Sequence, residues 1–164
     1  MKKNIFILIF TSFIFSQKIL IPMDFSQSDH LKSYGVAFWS LKQGINVEWL
    51  LNYRGGSFLI DNYSTIENEC KLRGIVYEKI NASILGSILA EIESNNMDIV
   101  LLEKKPKIAV YAPPGNQPWD DAVTMVLTYA EVDYDIIFDD EVMNGELSNY
   151  DWLHLHHEDF TGQY

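Results

Sequence analysis

Apolar segments of strand length alternate with amphipathic segments of helix length from residue 18 onward. The predicted strands cover residues 18–22, 45–51, 75–80, 98–102, 108–111, 134–138 and 152–156. The predicted helices cover residues 31–41, 65–73, 82–93 and 119–130. Strands that alternate with helices of about 10–15 residues indicate parallel pairing with right-handed crossovers. The sequence therefore predicts an α/β fold, with a doubly wound parallel sheet in a three-layer sandwich.

A polar segment at 103–107 divides this pattern into two predicted units. Its sequence, Glu-Lys-Lys-Pro-Lys, contains a proline and separates two apolar strands. We expect a first α/β unit over residues 18–104 and the start of a second over residues 105–164. The last predicted strand is followed by only a few residues, and an uncovered parallel edge would expose apolar surface. We therefore expect the second unit to be truncated at its C-terminus.

The N-terminus has the organisation of a secretory signal peptide. Lys2 and Lys3 precede an apolar run over residues 5–15, and polar residues follow at 16–17. The apolar run is too short for a transmembrane helix, which needs about 20 residues. Residues 1–17 are therefore predicted to direct export, to a periplasmic or secreted location. An uncleaved N-terminal anchor is the alternative.

Charge and cysteine content narrow the function further. The formal charge is −11, which disfavours binding to nucleic acid. Cys70 is the only cysteine, so no internal disulfide can form. It lies in a predicted helix beside two acidic residues, and we expect an unreactive thiol. The sequence predicts no cofactor and no membrane span after signal cleavage. It is compatible with a small-molecule ligand, and it does not determine the oligomeric state.

Ligands of parallel α/β sheets bind at the carboxyl ends of the strands, so the loops there are the places to search. The loops after Tyr111 and after His156 have the highest polar density, and Arg54-Gly-Gly-Ser57 follows an earlier strand. The candidate ligand-binding residues are Arg54, Asn116, Gln117, Trp119, Asp120, His156, His157, Glu158 and Asp159.

Each of these loops also has a plainer explanation. Backbone N–H groups and the guanidinium of Arg54 could hold an anion, or the segment could be a turn. Asp120 could face a ligand, or it could cap the helix that follows. The adjacent pairs Asp120/Asp121 and Asp139/Asp140 are interpreted as surface charge.

The last predicted strand brings two histidines to one face. Strand alternation puts His154 with His156, and Leu153 with Leu155 on the opposite face. Two imidazoles on one face make His154 and His156 weak candidates for metal ligands. The alternatives are a metal-free pocket or histidines that cap the strand end.

The spacing in 154–159 also resembles the His-x-His-x-Asp-His motif of metallo-β-lactamase-like hydrolases. Glu158 stands at the place of the Asp, and Asp159 stands at the place of the last His. A metal-dependent hydrolase is therefore one hypothesis. The sequence gives this hypothesis less support than the two that follow, an amidase or hydrolase and a non-catalytic binding domain.

Several longer segments resemble a known family. These segments are KILIPMD, HLKSYG, NVEWLLNYRGGSF, PPGNQPWDDAVTMVLTYAE and YDWLHLHHEDFTGQY. They are similar to exported Bacteroidota proteins labelled asparagine synthetase B, and the resemblance covers the mature chain. It implies class I glutamine amidotransferase-like architecture, with this chain as the N-terminal part. An amidase or hydrolase whose nucleophile lies beyond residue 164 is thus one hypothesis, and a non-catalytic exported domain that binds a small ligand or partner is the other.

The signal peptide gives a direct test. We expect export to remove the residues up to Ser16 or Gln17, because the apolar run ends there. N-terminal sequencing of the exported protein should begin at Gln17 or Lys18. Intact Met1 in a membrane fraction would contradict cleavage and favour the anchor.

Overall fold

The computed structural model describes residues 17–115, 117 and 120–155, which form a mixed α/β fold with two sheets. Residues 1–16 of the predicted signal peptide and the residues from His156 onward lie outside these ranges. The first unit contains β1 (Lys18–Ile21), α1 (His30–Lys42), β2 (Val47–Leu51), β3 (Ser57–Asp61), α2 (Ser64–Arg73), β4 (Glu78–Ile80), α3 (Ala82–Ser94) and β5 (Asp98–Leu102). The second contains β6 (Ile108–Tyr111), α4 (Ala122–Ala130), β7 (Asp135–Ile137), α5 (Asp139–Met143) and β8 (Trp152–Leu155).

The first sheet is antiparallel, so the prediction of parallel pairing is wrong for this unit. Its strand order is β4-β1-β3-β2-β5, and every neighbouring pair is antiparallel. The sequence pattern missed β3, which forms a hairpin with β2 and inserts between β2 and β1. The first four strands and two helices thus form the split β-α-β arrangement of ferredoxin-like folds.

A tight corner makes this hairpin. Asn52, Arg54, Gly55 and Gly56 all have positive φ, between 45° and 93°. Glycine adopts such conformations without steric cost, which explains the Gly-Gly pair at the corner. The corner reverses the chain, so that Leu50 pairs with Ser57. The segment predicted as a loop is therefore the reason that the next strand runs antiparallel.

Helices cover both faces of the first sheet. Along β1, Ile19 and Ile21 pack under α1 and α2, whereas Leu20 points to α3 on the opposite face. This alternation is the normal consequence of strand geometry. Asp29 and Asn81 cap α1 and α3 through their side chains.

Helix α1 is buried between the two units. Val36 and Leu41 belong to the core of the first sheet. Phe38 belongs instead to the second core, with Val110 and Leu127. One helix therefore joins both hydrophobic cores, and it fixes the position of the second unit.

A buried arginine reinforces the junction. Arg73 donates to the Ala130 carbonyl at 2.9 Å, pairs with Glu69 at 2.7 Å and pairs with Glu131 at 2.9 Å. Lys32 of α1 reaches the same Glu131 at 2.9 Å. Charge-assisted hydrogen bonds of this kind are roughly twice as strong as neutral ones. They anchor the end of α4 against α1 and α2.

The second sheet is parallel, as predicted, with order β7-β6-β8. Strand alternation places Leu153 and Leu155 on the face of β8 opposite His154. This apolar face is not buried by the described residues, since Leu153 is 37% and Leu155 is 50% exposed. Among the helices of the described ranges, none combines the length and apolar character needed to cross a membrane.

Gly35 tests the junction. A Cβ at this position would lie 1.9 Å from the Ala130 carbonyl oxygen and 2.7 Å from Nη1 of Arg73. Backbone cannot move away cheaply, so we expect Gly35→Ala to lower the free energy of unfolding by about 1–3 kcal/mol or more. Urea denaturation measures the change.

Gly86→Ala is the matched control. Gly86 also lies inside a helix, but nothing lies within 4 Å of its added Cβ. We expect this substitution to stabilise the protein by about 0.5–1 kcal/mol, because Ala restricts the unfolded chain. Equal effects of the two substitutions would contradict a junction built on Gly35.

Candidate functional site

The carboxyl ends of β6, β7 and β8 lie at one edge of the second sheet, because all three strands run in the same direction. We call this the carboxyl edge; its strands end at Tyr111, Ile137 and Leu155. Tyr111 stacks on Phe138 with ring centres 5.2 Å apart, and its hydroxyl donates to Asp139. Ligands of parallel α/β sheets bind at such edges.

Asp121 is the buried acidic group that the described residues place at this edge. Its Oδ1 accepts hydrogen bonds from the N–H groups of Val123 at 2.7 Å and Thr124 at 3.0 Å, which caps α4. The residue is only 3% exposed. Burial alone raises its pKa, but these N–H groups and the ring of His154 hold the pKa below its usual range. Asp121 therefore carries a fixed negative charge at the positive end of a helix.

His154 approaches this carboxylate from β8. It lies beside Val110 in the sheet register, and its Nε2 is 3.3 Å from Oδ1 of Asp121. The Nε2 atom is buried, and among the described residues it lacks a partner with good hydrogen-bond geometry. The contact is thus a close charge interaction, which is strong only when the ring is protonated. Most of the ring is buried, with 20% of the side chain exposed.

This pair has a defined chemical capacity. A buried carboxylate beside an imidazole orients the ring and fixes which ring nitrogen faces it. Such a ring can hold or transfer a proton at a bound ligand, as general bases do. The fold supplies the pair by placing the start of α4 next to the middle of β8.

The charge around the edge is strongly negative. Residues 108–164 contain twelve Asp or Glu and no Lys or Arg, whereas residues 1–107 contain eleven acidic and twelve basic residues. The first turn of α5 alone contributes Asp139, Asp140 and Glu141. This asymmetry is visible in the sequence and disfavours phosphate or another anion as the ligand of this unit.

The loop after Tyr111 contributes two of the predicted residues. Asp120 and Gln117 are exposed, and the Gln117 N–H donates to Asp120 at 2.8 Å. Asp121, not Asp120, caps the helix. The interpretation of Asp121 as surface charge is wrong, because the Asp121 side chain is buried. Adjacent acidic residues do not reveal which of them the helix start will enclose.

The other predicted residues of these two loops lie outside the described residues. They are Asn116, Trp119, His156, His157, Glu158 and Asp159. Within the described ranges, no three His, Cys, Asp or Glu side chains form a group that could hold a metal ion. His154 meets a carboxylate there, and His156, its proposed co-ligand, is outside those ranges.

Arg54 belongs to the other sheet. Its guanidinium binds Asp24 at 2.6 Å, Glu78 at 2.8 Å and the Ser26 hydroxyl at 3.1 Å. Two carboxylates thus already balance its charge, so an anion there would have to displace one of them. The arginine holds the turn after β1 against the hairpin corner.

Cys70 is not part of the carboxyl edge. It lies on the buried face of α2, in the core of the first sheet, and burial raises the pKa of its thiol to about 12. A thiol in this state is protonated at neutral pH and is not a nucleophile. The prediction of an unreactive cysteine agrees with this environment.

Comparison of the chain with family models and with curated proteins gives no match, and neither does comparison of its structure with solved structures.

The ion pair of Asp24 and Arg54 predicts a pH-dependent stability. Hydrogen bonds from Arg54 and Ser26 lower the pKa of Asp24 well below its usual range. The resulting stability is present above the unfolded pKa, about 3.9, and is lost as the pH falls through the folded pKa. We expect Asp24→Asn to cost about 1 kcal/mol or less at neutral pH, since the pair is partly exposed.

Chemical denaturation between neutral pH and strongly acidic pH measures this difference. The gap in unfolding free energy between wild type and Asp24→Asn should narrow below about pH 4. In an Arg54→Gln background, Asp24→Asn should show a much smaller gap. A gap that stays constant into strong acid would contradict this role for the pair.

Proposed function

We propose that this protein is an exported domain that binds a small polar ligand at its carboxyl edge. In this proposal the second unit has an architecture similar to class I glutamine amidotransferases. Export is inferred from residues 1–17, and the amidotransferase-like architecture from the sequence resemblance. The single observation that carries the binding site is the pair formed by His154 and Asp121.

The position of this pair supports binding. Residues whose role is purely structural tend to satisfy their own hydrogen bonds, yet Nε2 of His154 is buried without a well-aligned partner. His154 lies one residue before the carboxyl end of β8, close to the edge where parallel sheets bind ligands. A ligand group at this point would meet an imidazole, a fixed carboxylate and the start of a helix.

The charge distribution selects the ligand. Residues 108–164, with twelve acidic residues and no basic one, attract a positive or neutral polar group and repel an anion. A zwitterionic amino acid with a side-chain amide suits this field, because its ammonium balances its single carboxylate and the amide is neutral. Glutamine and asparagine are therefore the ligands to test first, and the family resemblance points to the same amides.

An amidase or hydrolase is the second candidate, and the same pair favours it. His154 would act as the base that removes a proton, and Asp121 would orient the ring and stabilise its charge. The nucleophile would come from outside the described residues, because Cys70 is buried in the first unit. Metal-dependent hydrolysis by His154 and His156 has less support, since His154 already faces Asp121.

Calorimetric titration tests binding. We expect the protein to bind L-glutamine or L-asparagine and to reject glutarate, which has a similar length but two negative charges. His154→Ala should weaken binding at least about tenfold, which is the loss of one charge-assisted hydrogen bond. The same variant should lower the unfolding free energy by less than truncation of a core residue does, because the ring makes one long contact, 3.3 Å, with Asp121.

Two control variants distinguish a binding role from a structural one. His30→Ala removes an exposed histidine of the first unit and should leave binding unchanged. Ile137→Ala removes a buried side chain beside the edge and should cost about 2–5 kcal/mol of stability. If His154→Ala unfolds the protein as severely as Ile137→Ala, the histidine is structural. If neither amide binds, the ligand class proposed here is wrong.

A further inference from the structure

A cavity lies at the junction of the two units, away from the carboxyl edge. Its volume is about 280 Å³, and α1, the first sheet and the segment after β5 line it. Four of its walls are aromatic: Tyr34, Phe38, Trp49 and Phe58. Small-ligand sites are typically apolar clefts of roughly 300–1,000 Å³ and often lie between units. This cavity is near the small end of that range, which suits one or two fused rings.

The aromatic walls are held in place. Tyr34 meets Phe58 edge to face with ring centres 5.4 Å apart, and Trp49 lies 6.3 Å from Phe58. The indole N–H of Trp49 donates to the Gly56 carbonyl at 3.0 Å, which fixes the ring. Because that N–H is already used, the tryptophan offers a ligand its ring surface and not a hydrogen bond. Such walls favour an aromatic ligand.

The mouth of the cavity is basic in an otherwise acidic protein. Lys104 lines the cavity, is 84% exposed and has one weak contact, 3.9 Å from Asp151. The ammonium of Lys105 lies 5.3 Å from the ring centre of Phe38, another wall, but it is paired with Asp133 at 2.8 Å, which leaves Lys104 as the cation for a ligand. Residues 104–107 hold three lysines, and no other four-residue window of the sequence has as many basic residues. The local charge is therefore opposite to that of the carboxyl edge.

We propose that this cavity is a binding site for a small aromatic anion, such as a one- or two-ring aromatic carboxylate. The ring would stack among Tyr34, Trp49 and Phe58, and the carboxylate would meet Lys104 at the mouth. This site is independent of the carboxyl edge, and it takes the opposite ligand charge.

NMR titration of the protein with indole-3-acetate tests the proposal, with the indole N–H signal of Trp49 as the reporter. We expect a saturable shift of that signal, and weaker binding of the neutral indole-3-acetamide by about threefold. Lys104→Gln should remove the difference between the two probes without changing the binding of the amide. Lys104 is exposed, so this variant does not threaten the fold.

Tyr34→Ala tests the aromatic wall. We expect it to weaken both probes about tenfold through the loss of ring contact. Tyr63→Ala removes a tyrosine of similar exposure outside the cavity and should change neither. The proposal is overturned by a Trp49 signal that does not saturate at several millimolar probe. Equal effects of Tyr34→Ala and Tyr63→Ala, or a persistent preference for the acetate in Lys104→Gln, also overturn it.

Discussion

The contact between Gly35 and the Ala130 carbonyl governs the arrangement of the whole molecule. Because Gly35 has no side chain, the end of α4 can lie directly against α1. Arg73 then binds the same carbonyl and Glu131, which keeps the two units in one orientation. Helix α1 thereby serves two cores, and the junction creates the cavity beside Phe38. A side chain at position 35 would disturb all of these features together.

The two units divide charge between them. The first is nearly balanced, and its carboxylates are largely paired with basic residues, as in the contacts of Arg54 and Lys18. The second has no basic residue after Lys107, so its carboxylates depend on N–H groups, hydroxyls and lysines of the junction. A ligand therefore meets a different electrostatic potential at each unit. A basic mouth at the junction favours anions, and an acidic carboxyl edge favours cations and amides.

The candidate site was predictable in place but not in composition. Parallel strands and the polar loop after Tyr111 predicted a site at this edge, and strand alternation put His154 on one face with His156. Asp121 was missed, because two adjacent aspartates look equivalent until the first turn of a helix encloses one of them. Arg54 was selected for its glycine neighbours. Its carboxylate partners, Asp24 and Glu78, are distant in sequence and could not be anticipated.

Local sequence determined the elements that depend on local physics. Apolar periodicity located most of the strands and helices, and side-chain caps placed the starts of α1 and α3. The tertiary structure alone decided how those elements pair. The hydrophobic pattern of a strand does not show which strand it will pair with. The five residues of β3, after the Gly-Gly corner, insert between β1 and β2 and pair antiparallel with both, so the first sheet is antiparallel and not parallel as predicted. Pairing direction is set by hydrogen bonds between backbone segments far apart in sequence, and burial of Asp121 beside His154 likewise depends on packing.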